Sequence, residues 1–179
     1  MTQLAIRAAT PADRAMLDAL IAASYATLDD GLYDRAALAA AMPAMSKANP
    51  KLLGSGTYYI VEIDGEPAAC GGWTREAPHT GMIEDGVGHI RHFATHPAHL
   101  RKGAARALLD HCLAEAATAG IRLMKSQSTL LAEPFYASAG FRRVAAAKAE
   151  MAPGIELPVV RMERPCPSRS TKASSARPA

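Results

Sequence analysis

Cysteine is scarce in this chain. Cys70, Cys112 and Cys166 are odd in number and far apart, which suggests neither a disulfide framework nor a CxxC metal pair and fits a reducing cytosol. Nowhere do roughly 18 uncharged apolar residues run together, and MTQLAIRAATPADR lacks the apolar centre of a secretory leader. No membrane partner is expected, and the chain reads as cytoplasmic. The patterns GxxxxGK[ST], GxGxxG and HExxH are absent, so ATP, NAD and catalytic zinc have little support. His89, His92, His96 and His99 are scattered by strand alternation and by Pro97, and no metal is expected. Acids are missing from PCPSRSTKASSARPA at the C-terminus, where Arg169, Lys172 and Arg177 account for the whole formal charge of +3. The remainder is neutral, which argues against a nucleic-acid partner.

What the chain does have, at 49% hydrophobic and 21% charged residues, is material for one domain with one core. That domain is expected over residues 1–164, and the basic tail, 165–179, holds too little apolar surface to order itself. Leu4 to Ala8 reads as a strand, and Thr10-Pro11-Ala12-Asp13 as a capped helix start. A second helix follows from Arg35 to Met42, ended by Pro43. TYYIVEI, the turn Asp64-Gly65 and Pro67 to Trp73 form a hairpin. His89 to Thr95 is a strand, Gly103 to Ala119 an amphipathic helix, and Ile121 to Ser128 a strand parallel to the first by a right-handed crossover. A short helix from Pro134 to Ala139 and strands near 141–149 and 157–163 complete a mixed α/β order.

Two stretches carry chemistry. Leu100-Arg101-Lys102-Gly103-Ala104-Ala105 lies between a strand and a helix, where the free N–H groups and dipole of the first turn suit a phosphate. Small side chains permit close backbone approach there, and Arg101 and Lys102 add positive charge. The same residues also fit a plain turn with solubilising charges. In Glu133-Pro134-Phe135-Tyr136-Ala137-Ser138-Ala139-Gly140-Phe141, Gly140 reads as a left-handed helix stop with Phe141 packing back on Phe135 or Tyr136. Tyr136 also offers a phenolic proton.

Together these stretches resemble the GNAT superfamily of N-acetyltransferases. The pyrophosphate motif Gln/Arg-x-x-Gly-x-Gly/Ala overlies Leu100 to Ala105, Phe-Tyr-x-x-x-Gly-Phe overlies Phe135 to Phe141, and Ile6 to Asp13 looks like the family's opening strand and helix. Leu100 departs from the usual Gln or Arg, which puts one phosphate contact in doubt but not the backbone cradle. The resemblance implies a mixed, mostly antiparallel sheet of six to seven strands flanked by about four helices. It also implies an enzyme moving acetyl from acetyl-CoA to a primary amine, on a small molecule or a peptide, without a metal. By position, Phe93, Ala94 and Thr95 would hold the pantetheine arm with Phe135 nearby. Arg101, Lys102, Gly103, Ala104, Ala105 and Arg106 would hold the pyrophosphate. Tyr136 would be the general acid. His89 aligns with a frequent Glu and is the first choice as base, with Glu84, Asp85 and Glu133 as the others.

The acceptor site is expected from the loops Asp29–Tyr33 and Arg75–Val87. Their acids either attract a cationic amine or form an ordinary solvated surface. Trp73 either lines the site or belongs to the core. A homodimer through sheet edges, frequent in that family, is a further expectation. A non-catalytic acetyl-CoA-binding regulatory module is the rival reading.

Overall fold

The structure is a computed structural model and describes residues 3–167. Most of the expected basic tail, including Arg169, Lys172 and Arg177, lies outside the described residues. The elements are β1 (Leu4–Ala8), α1 (Arg14–Tyr25), α2 (Arg35–Met45), α3 (Pro50–Leu53), β2 (Tyr58–Ile63), β3 (Glu66–Thr74) and β4 (Val87–Thr95). They continue with α4 (Ala104–Thr118), β5 (Leu123–Ser128), α5 (Glu133–Ser138), β6 (Arg142–Ala152) and β7 (Ile155–Pro165). The seven strands form one sheet in the order β1-β2-β3-β4-β5-β7-β6. Every neighbouring pair is antiparallel except β4–β5, the strands joined through α4.

Local chemistry explains most of these elements. Asp13 accepts from the N–H of Thr10 (2.8 Å) and from its hydroxyl (3.0 Å), and Arg7 binds the same carboxylate at 2.8 Å, so the entry to α1 is tied to β1. The β2–β3 turn holds Asp64 and Gly65 at φ 52° and 83°, the double left-handed geometry that matches strand twist. α2 does not end before Pro43 but runs to Met45. Pro43 sits in its last turn and forfeits only its own bond to the carbonyl four residues back, while Ser46 N–H still reaches Met42 O at 3.0 Å. Burial of Ala41 and Met45 offsets that loss. The short α3 was not expected. Asn49 caps the Lys51 N–H at 2.9 Å, Pro50 opens the turn, and Leu52 and Leu53 are buried.

α4 covers one sheet face, with Leu108, Leu109, Cys112 and Ala116 against Val61, Ala69, Trp73 and Met124. α1 covers the other, with Leu17, Leu20 and Ile21 against Tyr58, Ile60 and Cys70. All three cysteines are free and buried, and burial pushes the Cys70 thiol up to about 12. β7 continues to Pro165, and Cys166 is buried with its N–H on Arg122 O at 2.7 Å. No described helix is long and apolar enough to cross a membrane.

One irregularity shapes the centre of the sheet. Cys70 faces Ala94 but Gly72 faces Arg91, leaving an extra residue in β4, and His92 takes φ 49°. Simple alternation would put Phe93 on one face with His89 and Arg91. The bulge instead turns Phe93 to the α4 face, over Gly71, where an added Cβ would lie 2.3 Å from its ring. Gly71 is therefore needed for close approach.

Candidate active site

β4 and β5 pair only from Val87–Leu123 to His89–Lys125. Beyond His89 the strands part, and a cleft of about 1050 Å³ opens between them. Ile90 to Thr95 line it from β4, and Gln127 and Ser128 from β5. Phe135 and Tyr136 form one wall, and Arg101, Gly103, Ala104, Ala105 and Arg106 form its mouth. Lys102 is exposed beside them and does not line the cleft.

At the mouth the chain makes two left-handed residues, Arg101 (φ 58°) and Gly103 (φ 83°), before entering α4. The first N–H of α4 to find a backbone partner is that of Ala107, on Gly103 O at 2.9 Å. Among the described residues, the N–H groups of Arg101 to Arg106 have no hydrogen-bond partner. This row of donors at the positive end of a helix fits a diphosphate. Leu100 is exposed and contributes no polar group. Arg106 pairs with Asp110 at 3.1 Å, so its charge is shared with its own helix.

Tyr136 is set by the end of α5. Phe141 N–H reaches Tyr136 O at 3.1 Å, Gly140 N–H reaches Ala137 O at 3.0 Å, and Gly140 has φ 87°, a Schellman stop. Phe93, Phe135 and Phe141 pack round its ring at centroid distances of 6.3, 5.1 and 5.3 Å. Burial, aided by nearby Tyr25, pushes the phenol well above its ordinary value, so it is neutral and holds its proton at neutral pH.

His89 does not line the cleft; it sits on the still-paired part of β4, opposite Lys125. Glu84, Asp85 and Glu133 are also outside it, bound to Lys125 (3.1 Å), Arg122 (2.9 Å) and Arg143 (3.2 Å). The histidine in the cleft wall nearest the bulge is His92. Its Nε2 is 3.0 Å from Met45 O, which assigns the proton to Nε2 and leaves a lone pair on Nδ1. Tyr25 lies against the ring at 5.6 Å. Burial holds His92 below the ordinary imidazole value of 6.5.

A pH dependence follows. Below 6.5 the unfolded chain binds more protons at this position than the folded one, so stability rises with pH through that window and is lost as pH falls. The melting temperature should drop between about pH 6.5 and 5, above the range where carboxylates titrate. His89 shifts in the same direction, so His92→Gln should flatten that slope in part, as read by thermal melts across pH. An unchanged slope would show that His92 is not the sensitive group.

None of the residues Asp29–Tyr33 lines the cleft. Asp29 pairs with Arg35 at 3.3 Å, and the Tyr33 hydroxyl accepts from Leu130 N–H at 2.8 Å inside a separate core. The wall comes instead from Ser24 and Tyr25 at the end of α1, Thr27 and Leu28 just after it, Met45 at the end of α2, and Lys47 and Asn49 beyond. The Arg75–Val87 loop supplies Pro78 and His79 only. Trp73 is core, with its Nε1–H on Glu115 Oε2 at 2.8 Å. Tyr25, Met45 and His92 carried no motif. The one sequence signal for the bulge was Gly71-Gly72 inside a strand.

A family model described as "Acetyltransferase (GNAT) domain" matches residues 54–143. No curated protein sequence matches the chain. Among solved structures, a GCN5-related N-acetyltransferase from Rhodopseudomonas palustris superposes with a TM-score of 0.72 at 21% identity, over 90% of this chain and 94% of that one. The PaiA N-acetyltransferase of Thermoplasma acidophilum, in complex with coenzyme A, gives 0.69 at 14% identity, over 91% and 99%. The ribosomal-protein-S18-alanine N-acetyltransferase of Escherichia coli gives 0.57 at 16% identity, over 95% and 98%. The segment matched by the family model runs from before β2 to the start of β6, covers half of the chain, and contains β4, β5, the turn into α4 and Tyr136 on α5; the chain belongs to the GNAT acetyltransferase family.

Proposed function

We propose that this protein is an N-acetyltransferase that moves an acetyl group from acetyl-CoA to a primary amine. The observation that carries the reading is the row of unpartnered amides from Arg101 to Arg106, set at the mouth of a cleft whose wall holds Tyr136. Those amides, with Arg101 and Arg106, would bind the diphosphate, and the parted backbone of Phe93, Ala94 and Thr95 the pantetheine arm. The coenzyme A bound in the Thermoplasma relative supports this assignment.

Bound acetyl-CoA supplies an activated acyl carbon: the acceptor nitrogen forms the C–N bond, the C–S bond breaks, and a proton must leave nitrogen while one reaches sulfur. Tyr136 donates the proton to sulfur. Its raised affinity for that proton is matched by a thiolate that would form in the same desolvated wall. His92 Nδ1 takes the proton from nitrogen, because its other nitrogen is committed to Met45 O and burial keeps the ring neutral. His89, on the paired part of the sheet, is outside direct reach of the cleft.

The test is a thiol-release assay across a broad amine panel, run beside calorimetric binding of acetyl-CoA. Acyl transfer to at least one amine is expected. Tight binding without release to any amine would favour a non-catalytic acetyl-CoA-binding module.

A further inference from the structure

The acceptor end of the cleft is cationic. Arg91 stands in β4 one residue before the bulge, partly buried, and lines both this cleft and an adjoining polar recess of about 730 Å³. Its Nη1 donates to Thr74 Oγ1 at 2.8 Å and more weakly to Glu76 O at 3.4 Å, which fixes the guanidinium in place. Among the described residues no carboxylate lies within 4.0 Å of it, so a partly buried cation keeps donors free toward the cleft. Partly buried arginines ordinarily find an anionic partner, because an unpaired charge loses hydration without return.

With Arg91 counted, the cations lining this space outnumber the acids. Lys47 lines the wall and is held only loosely by Asp18, at 3.8 Å, while Asp18 itself binds Ala48 N–H. Lys51 lines the recess with one acid, Glu76, while the Arg75 guanidinium is turned away to Ala119 O at the end of α4. Glu150 is the acid lining the main cleft, and its Oε1 is engaged by Gly154 N–H at 3.0 Å. Asp29, Asp30, Glu84 and Asp85, the loop acids that might have drawn a cationic acceptor, are all outside the cleft. A polyamine would therefore meet like charge.

We infer that the acceptor is a small amine that also carries a carboxylate, and that Arg91 anchors that carboxylate. This inference rests on the acetyltransferase reading above. A planar carboxylate matches the guanidinium fork, and docking it beside the bulge leaves the amine on the His92 side of the cleft. Arg91 is thus a specificity-determining residue, next in sequence to His92, that acts on the acceptor's carboxylate and not on the thioester.

The test compares each acceptor as its free acid and as its primary amide in the thiol-release assay, with a polyamine and a peptide with a free N-terminus as further arms. The free acids should exceed their amides in kcat/KM by about ten- to a hundredfold, chiefly through KM. Arg91→Gln should reduce that preference to less than about threefold, while Arg91→Lys keeps part of it. Acetyl-CoA affinity, measured on both variants, should be unchanged and reports that they fold. Equal or better use of amides, polyamine or peptide would overturn the inference and leave the acetyltransferase reading standing. An acid preference that survives in Arg91→Gln would remove Arg91 as the anchor. Failure of every arm would overturn the acetyltransferase reading itself.

Discussion

Replacing Tyr136 by Phe should lower kcat about ten- to a thousandfold at neutral pH and leave acetyl-CoA affinity within about twofold. The substitution removes one oxygen and nothing else. The ring stays clamped among Phe93, Phe135 and Phe141, and the helix stop at Gly140 uses backbone groups only. No described residue is hydrogen-bonded to the Tyr136 hydroxyl, so its loss leaves no buried group without a partner, and the melting temperature should hold within a few degrees. A turnover defect without a stability or binding defect is the signature of a proton donor. Unchanged turnover would remove Tyr136 from the chemistry and leave the departing sulfur to water.

Ala105→Glu should weaken acetyl-CoA binding about a hundredfold and yet leave the protein as stable or slightly more so. Ala105 is in the first turn of α4 and lines the mouth of the cleft. A carboxylate there is favoured by the free N–H groups and dipole of the helix, by about 0.3–1 kcal/mol. It also occupies the donors that a diphosphate would use and opposes its charge. The opposite signs of the two effects separate a binding defect from a folding defect, as calorimetry and thermal melts would read them. Unchanged affinity would mean that the turn from Arg101 to Arg106 does not hold the phosphates.

Much of the frame was legible because it depends on neighbours in sequence. The Asp64-Gly65 turn, the Thr10–Asp13 start and the Gly140 stop are set by the left-handed freedom of glycine and by short side chains reaching adjacent amides. The anion turn was legible for the same reason, since a helix start leaves its first amides free wherever it occurs, and a glycine before it lets the chain turn in. α2 was misread at Pro43 because the loss of one local bond was weighed without the burial of Ala41 and Met45.

The acceptor site was decided elsewhere. Strand alternation placed Phe93 with His89, but one extra residue in β4, with Gly71 making room opposite, turned Phe93 to the other face. The wall is assembled from the end of α1, the α2–α3 connection and β4, which are far apart in the chain. Charges prominent in the sequence at Glu84 and Asp85 are paired with Lys125 and Arg122, partners only the fold could bring near. By itself the sequence determined the succession of elements, the caps and the donor row, because those obey short-range geometry. Which histidine meets the cleft, and which charges line it, only the tertiary structure decided, because both depend on a sheet that stops pairing after His89.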